Sequence, residues 1–167
     1  MDREKDILWQ SGKKVLRSGA FRFKVGHMER MLLSGEFDHT LDAKGRVTLP
    51  ARYREYFRNG AVLVRFPDKE PCIRVYHPDA WREFDQKYIE PLNVFENEQD
   101  SWRTREIYRN QDTVEVDRQG RVLLPAQRIK ELGLAGKVKI LGNRTHLEIW
   151  NPVTLAALEE ERRQKGA

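Results

Sequence analysis

Little in this chain of 167 residues points to catalysis. A single cysteine, Cys72, excludes an intramolecular disulfide and indicates a reducing compartment. The four histidines, His27, His39, His77 and His146, do not pair with one another or with Cys72 at a ligand-like spacing, so no metal site is expected. The chain has no Gly-x-Ser-x-Gly elbow, phosphate-binding glycine loop or dinucleotide fingerprint. No enzyme, cofactor or small-molecule substrate is therefore expected. No apolar run approaches the roughly 18 residues that span a bilayer, and the N-terminus lacks the apolar stretch and cleavage site of a secretory signal. A soluble cytoplasmic protein without membrane contact is expected.

What the chain has in quantity is charge: 34% of its residues, with a net +5. That surplus is unevenly placed. Residues 1–30 hold eight Lys/Arg against four Asp/Glu, and the rest hold 23 against 22. Overall basicity therefore says little about the folded part, and local clusters must carry the electrostatic argument. Residues 1–30 also lack a sustained helical or strand period. They are expected to be an extension that is disordered or not native, with Met31 as a candidate true start, the alternative being a basic arm that folds on nucleic acid.

From Glu36 onward the pattern becomes regular. Phe37, His39 and Leu41 alternate on one face, a polar turn follows, and Val47 and Leu49 lie on a returning strand stopped by Pro50. A short helix is expected in "ARYREYF", then strands in "AVLVRF" and "CIRVYHP". The second half repeats this order, with "DTVEVD", "RVLLP", the helix "AQRIKELGL", and strands "KVKILG" and "HLEIW". The expected division is a first repeat at 35–77, a helical connection at 78–108, a second repeat at 109–152 and a C-terminal helix at 153–167. In the connecting helix Trp81, Phe84 and Tyr88 are read as core packing.

The duplication is sharpest at two turns. "DAKGRVTLPA" (42–51) and "DRQGRVLLPA" (117–126) agree at seven of ten positions. Asp42 can close its turn by accepting backbone N–H bonds, Gly45 supplies a positive φ, and Arg46 can reach back to the carboxylate. Asp117, Gly120 and Arg121 repeat the arrangement. One reading stops there, at exposed ion pairs that only staple hairpins. The other uses the duplication: each half has too few apolar positions to close a sheet alone, so the hairpins interleave into a pseudo-symmetric barrel. Its ends would concentrate Lys44, Arg46, Arg118 and Arg121, and arginine forks match phosphate oxygens and guanine edges. Basic clusters recur with the turns: Lys44, Arg46, Arg52, Arg54 and Arg58 beside Glu55, then Arg118, Arg121, Arg128 and Lys130 beside Glu131.

The paired "DAKGR" and "DRQGR" turns, each leading through an apolar strand to Pro-Ala, together with "GEFDHTLDAKGRVTLPARYRE", resemble the MraZ family over about residues 31–165. The resemblance implies an α+β fold: a pseudo-symmetric swapped-hairpin β-barrel of two tandem AbrB/SpoVT-like repeats with flanking helices. It implies a nucleoid-associated bacterial transcription regulator, a repressor of the division and cell-wall gene cluster. Its partners would be repeated promoter elements in double-stranded DNA and other copies of itself in a ring. The family's basic positions map onto Lys44, Arg46 and Arg121, with Asp42 and Asp117 shaping the turns. Arg118 stands where the second motif often has a small residue. The rival expectation is an antitoxin-like swapped-hairpin interaction module, and a third is a purely structural oligomer in which the Asp–Arg pairs only lock hairpins.

Overall fold

The structure, a computed structural model, describes residues 31–166 in full and, before them, only the backbone of short strands. These are β1 (Ile7–Gln10), β2 (Lys13–Leu16), β3 (Phe21–Val25) and β4 (Met28–Leu32), which neighbour one another in chain order. The expectation about residues 1–30 otherwise lies outside the described residues.

The remaining elements occur twice in the same order. The first set is β5 (Glu36–Thr40), β6 (Arg46–Thr48), a 3-10 turn (Ala51–Tyr53), β7 (Ala61–Val64), β8 (Ile73–Tyr76) and helix α1 (Pro78–Tyr88). Helix α2 (Glu98–Arg109) links it to β9 (Gln111–Val114), β10 (Arg121–Leu123), α3 (Ala126–Glu131), β11 (Lys137–Asn143), β12 (His146–Trp150) and α4 (Pro152–Gly166). The helix expected after Pro50 is only the 3-10 turn. Its counterpart α3 is a true helix that stops before Gly133, whose φ is +59°.

Six strands form one antiparallel sheet in the order β5-β11-β12-β8-β7-β9. The order has a two-fold character: β12 and β8 meet at the centre, and each repeat's first strand joins the other repeat. Thus β5 pairs with β11 (Phe37 opposite Ile140), and β9 pairs with β7 (Asp112 opposite Leu63). The remaining strands, β6 and β10, pair with each other as a separate ribbon.

A closed barrel therefore does not form. Ribbon and sheet are joined only through the turns, by single bridges of Leu41 with Val47 and of Val116 with Val122 rather than by a continuous ladder, so β5 and β9 remain the edges of the six-stranded sheet. Between ribbon and sheet lies the main core, including Val47, Leu49, Leu63, Val75, Val122 and Ile140. On the opposite face of the sheet, α1 and α2 cover Val62, Val64 and Tyr76, and Leu155 of α4 packs with Trp150 and Cys72. Trp81 is buried there and Phe84 is half-buried, while Tyr88 at the end of the same stripe is exposed.

Helix starts follow local chemistry. His77 caps α1 by accepting from the Asp79 N–H through Nδ1 at 3.1 Å, with Pro78 as the first helical residue. Asn97 caps α2, accepting from Gln99 and Asp100. Asn151 accepts from the Val153 N–H and donates to the Gly133 carbonyl at 2.9 Å, tying the start of α4 to the end of α3.

One pair of equivalent positions has diverged without losing its task. The Tyr53 hydroxyl donates to the Ser34 carbonyl at 2.7 Å and accepts from the Ser34 N–H at 2.9 Å. Seventy-five residues on, Arg128 Nη2 donates to the Arg109 carbonyl at 3.3 Å, with Nη1 held by Glu131. A buried arginine thus stands in for a buried tyrosine.

Candidate nucleic-acid interface

Each repeated turn closes around its aspartate. Asp42 Oδ1 accepts from the backbone N–H groups of Lys44 and Arg46, both at 2.9 Å, and Oδ2 accepts from Arg46 Nε at 2.7 Å. Asp117 does the same with Gln119 N, Arg121 N and Arg121 Nε at 2.9, 2.9 and 2.6 Å. Backbone hydrogen bonds, first from Arg46 to Asp42 and from Arg121 to Asp117, then from the guanidinium, hold both carboxyls below the usual carboxylate range. Gly45 and Gly120 have φ of +79° and +78°, a conformation that a β-carbon resists.

The turns are also bound to each other's hairpins. The Leu124 N–H donates to the Gly45 carbonyl at 2.9 Å, and the Leu49 N–H donates to the Gly120 carbonyl at 2.8 Å. These bonds extend the ribbon register, in which Arg46 faces Leu123, Val47 faces Val122 and Thr48 faces Arg121. The turns thus sit at opposite ends of the ribbon, four residues or about 14 Å apart along it.

Side chains directly opposite in an antiparallel pair share a face. Val47 and Val122 are fully buried, so Arg46, Thr48, Arg121 and Leu123 occupy the other, outward face. The two arginines are diagonal neighbours there, about 7–8 Å apart. Each side chain is 28% exposed, and each is held by its aspartate through Nε. That leaves the Nη1 and Nη2 donors of each guanidinium outside the hydrogen bond to its aspartate.

Lys44 and Arg118 are exposed at the two turn tips. The four predicted basic residues and their aspartates and glycines therefore all lie on one ribbon and its ends. The wider basic clusters separate. Arg58 pairs with Glu55 at 3.0 Å, Arg52 lies over Phe37, and the buried Arg128 pairs with the exposed Glu131. Arg54 lies across the second turn: a β-carbon on Gly120 would come within 2.5 Å of Arg54 Cδ. Its counterpart beside Gly45 is Ile129, at 3.0 Å.

Leu123, 56% exposed on this face beside Arg46, was not among the candidate residues. Its alternation with buried Val122 and Leu124 was the available signal, masked by the continuous apolar run "VLL". Elsewhere, Cys72 is buried and its thiol is pushed up to about 12 by that burial, which makes it inert as a nucleophile. No group of His, Cys, Asp or Glu among the described residues could hold a metal ion, and no described helix is long and apolar enough to cross a membrane.

Residues 32–102 and 107–166 match a family model described as "MraZ protein, putative antitoxin-like". The chain is 36% identical over 126 residues to the transcriptional regulator MraZ of Thermomicrobium roseum, a match covering 75% of this chain and 86% of that protein. It is 33% identical over 138 residues to the protein of the same name in Pelodictyon phaeoclathratiforme, covering 76% and 88%. With the one from Caldanaerobacter subterraneus it shares 32% identity over 120 residues, covering 72% and 81%. The two matched segments each contain one Asp–Gly–Arg turn, and by this match the chain belongs to the MraZ family.

Proposed function

We propose that this chain is a DNA-binding transcriptional regulator that reads sequence through the outward face of the β6–β10 ribbon. The observation that carries the reading is the presentation of Arg46 and Arg121 on that face, each steadied by an aspartate through Nε alone. A two-stranded ribbon can enter the major groove, which is about 12 Å wide, and an arginine edge can take guanine O6 and N7 together. Lys44 and Arg118, at ribbon ends about 14 Å apart, are placed to meet phosphates on either side of the groove. The exchange of β5 and β9 between repeats supports the swapped-hairpin kinship implied by the turns, in an open rather than barrel form.

One ribbon is a small reader. The finer reading is a nucleoid-associated repressor in the cytoplasm that assembles as a homo-oligomeric ring. Several ribbons would then meet successive repeats in the promoter of the division and cell-wall gene cluster, gaining avidity. The names of the relatives, which call them transcriptional regulators, support the regulatory role, and the rest of this finer reading is an expectation from the resemblance. Fluorescence-anisotropy titrations against promoter repeats at several salt concentrations test it. Arg46→Ala and Arg121→Ala should each weaken specific binding roughly 5- to 150-fold, and Lys44→Ala should weaken all sequences alike and lower the salt slope by about 1. Wild-type affinity in both arginine variants would refute the assignment.

A second reading, an antitoxin-like interaction module, has the family description in its favour. Stoichiometric copurification of a small partner protein that is displaced from neither arginine variant would favour it over the first.

A further inference from the structure

The two ends of the ribbon are related by the repeat but are not chemically alike. Thr48 and Leu123 occupy equivalent positions, each directly across from the other hairpin's arginine. Thr48 is half-buried, whereas Leu123 stands 56% exposed beside Arg46 at the first-turn end of the ribbon. A β-carbon on Gly45 would lie 3.9 Å from Leu123 Cδ1, so the leucine leans toward the first turn. There it adjoins a shallow groove shared with Ala43, Lys44, Pro125 and Ile129. The equivalent surface over the second turn is covered by Arg54. Asp112 and Glu115 border the groove on the β9 side, which discourages phosphate oxygens from settling on it.

We propose that Leu123 is a specificity-determining residue that reads the C5 methyl of a thymine beside the base contacted by Arg46. This rests on the ribbon being the DNA-reading surface. In the major groove the thymine methyl is the one base-edge feature that favours an apolar side chain. Leu123 lies one cross-strand step, about 5 Å, from Arg46, and base pairs stack about 3.4 Å apart. A guanine under Arg46 therefore leaves Leu123 over a base one or two steps away. Lys44, Arg46 and Leu123 together offer one phosphate contact, one guanine contact and one methyl contact. At the other end Arg118, Arg121 and Thr48 offer a hydroxyl in place of the leucine. The pseudo-two-fold protein accordingly presents an asymmetric reading face.

The test uses the full chain and a duplex recovered by that protein from a randomised pool of 30-mers. Each thymine of the recovered consensus is replaced in turn by deoxyuridine, which removes only the methyl. One position should lower wild-type affinity roughly three- to five-fold, the effect of losing one buried methyl. Leu123→Ser should bind the thymine duplex as weakly as wild type binds the uracil duplex, and should not distinguish the two. The side chain is exposed, so the variant's melting temperature and native mass should match wild type. If the wild type enriches a sequence but no methyl matters, or Leu123→Ser keeps the methyl preference, the leucine contact is wrong and the DNA reading stands. A change of native mass in Leu123→Ser without loss of methyl preference would assign the leucine to an intersubunit contact instead. If no sequence is enriched at all, both the contact and the reading that it rests on fall.

Discussion

Replacing Gly142 with alanine should damage this protein far more than the same change at Gly136. Gly142 lies on β11 where the chain leading into β5 crosses it. A β-carbon there would stand 2.3, 2.4 and 2.5 Å from N, Cα and C of Ser34. Ordinary contact begins near 3.4 Å, so the Ser34 backbone would have to retreat by about 1 Å. It has little freedom to do so. The Tyr53 hydroxyl grips both its N–H and its carbonyl, Leu33 and Arg144 exchange two backbone bonds at 2.9 and 2.8 Å, and the Gly142 N–H donates to Gly35. Breaking three or four of these at about 1 kcal/mol each gives a loss of roughly 3–4 kcal/mol, the upper end for overpacking. Gly136 has φ +61°, but a β-carbon there would meet no atom within 4 Å, so only backbone strain of about 1 kcal/mol applies. Urea unfolding at one fixed protein concentration measures both, as a midpoint shift with unchanged slope. If Gly142→Ala lost no more than Gly136→Ala, the close crossing at Ser34 would be refuted.

Acid should expose the role of Glu148. Burial raises its carboxyl, but bonds from His146, Asn143 and Trp150 outweigh that and bring it to about 2, against an ordinary 4.5. Its contribution is therefore complete above pH 4.5 and is lost as pH falls through 2, about 3 kcal/mol in all; denaturant midpoints for Glu148→Gln should fall less steeply over that window. Val122→Ala, at the fully buried centre of the ribbon, should cost about 2–3 kcal/mol, read by the same unfolding assay. Gly120→Ala forces Arg54 aside and sacrifices its 3.3 Å bond to the Leu49 carbonyl. A double-mutant cycle with Arg54→Ala should consequently show coupling of about 0.5–1 kcal/mol; strict additivity would place Arg54 away from the turn.

The turns were legible because their bonds are local. Asp42 reaches only two and four residues ahead, and the glycine and arginine needed to complete the turn are written beside it. The helix starts expected at 78 and 153 lie at, or one residue after, the observed starts Pro78 and Pro152, for the same reason. Strand partners were not. Alternation in "EFDHT" says which side chains share a face but not that the neighbouring strand is "KVKIL", a hundred residues on. The barrel expectation failed on this point, since strands can be counted in a sequence while their ladders cannot be assigned. Charge was read least well where it became structure. Arg128 looked like an outward cation, yet aligning the repeats sets it against Tyr53, whose buried task it performs.

The exchange of β5 and β9 makes the protein's two halves kinetically inseparable. Neither repeat contains the neighbour its own first strand requires, so neither can complete its sheet early in folding, and the contacts that matter must wait for a long loop to close. Joining the halves in one chain supplies each with its partner at an effective concentration in the millimolar range. The folded ribbon is thereby independent of how much protein is present.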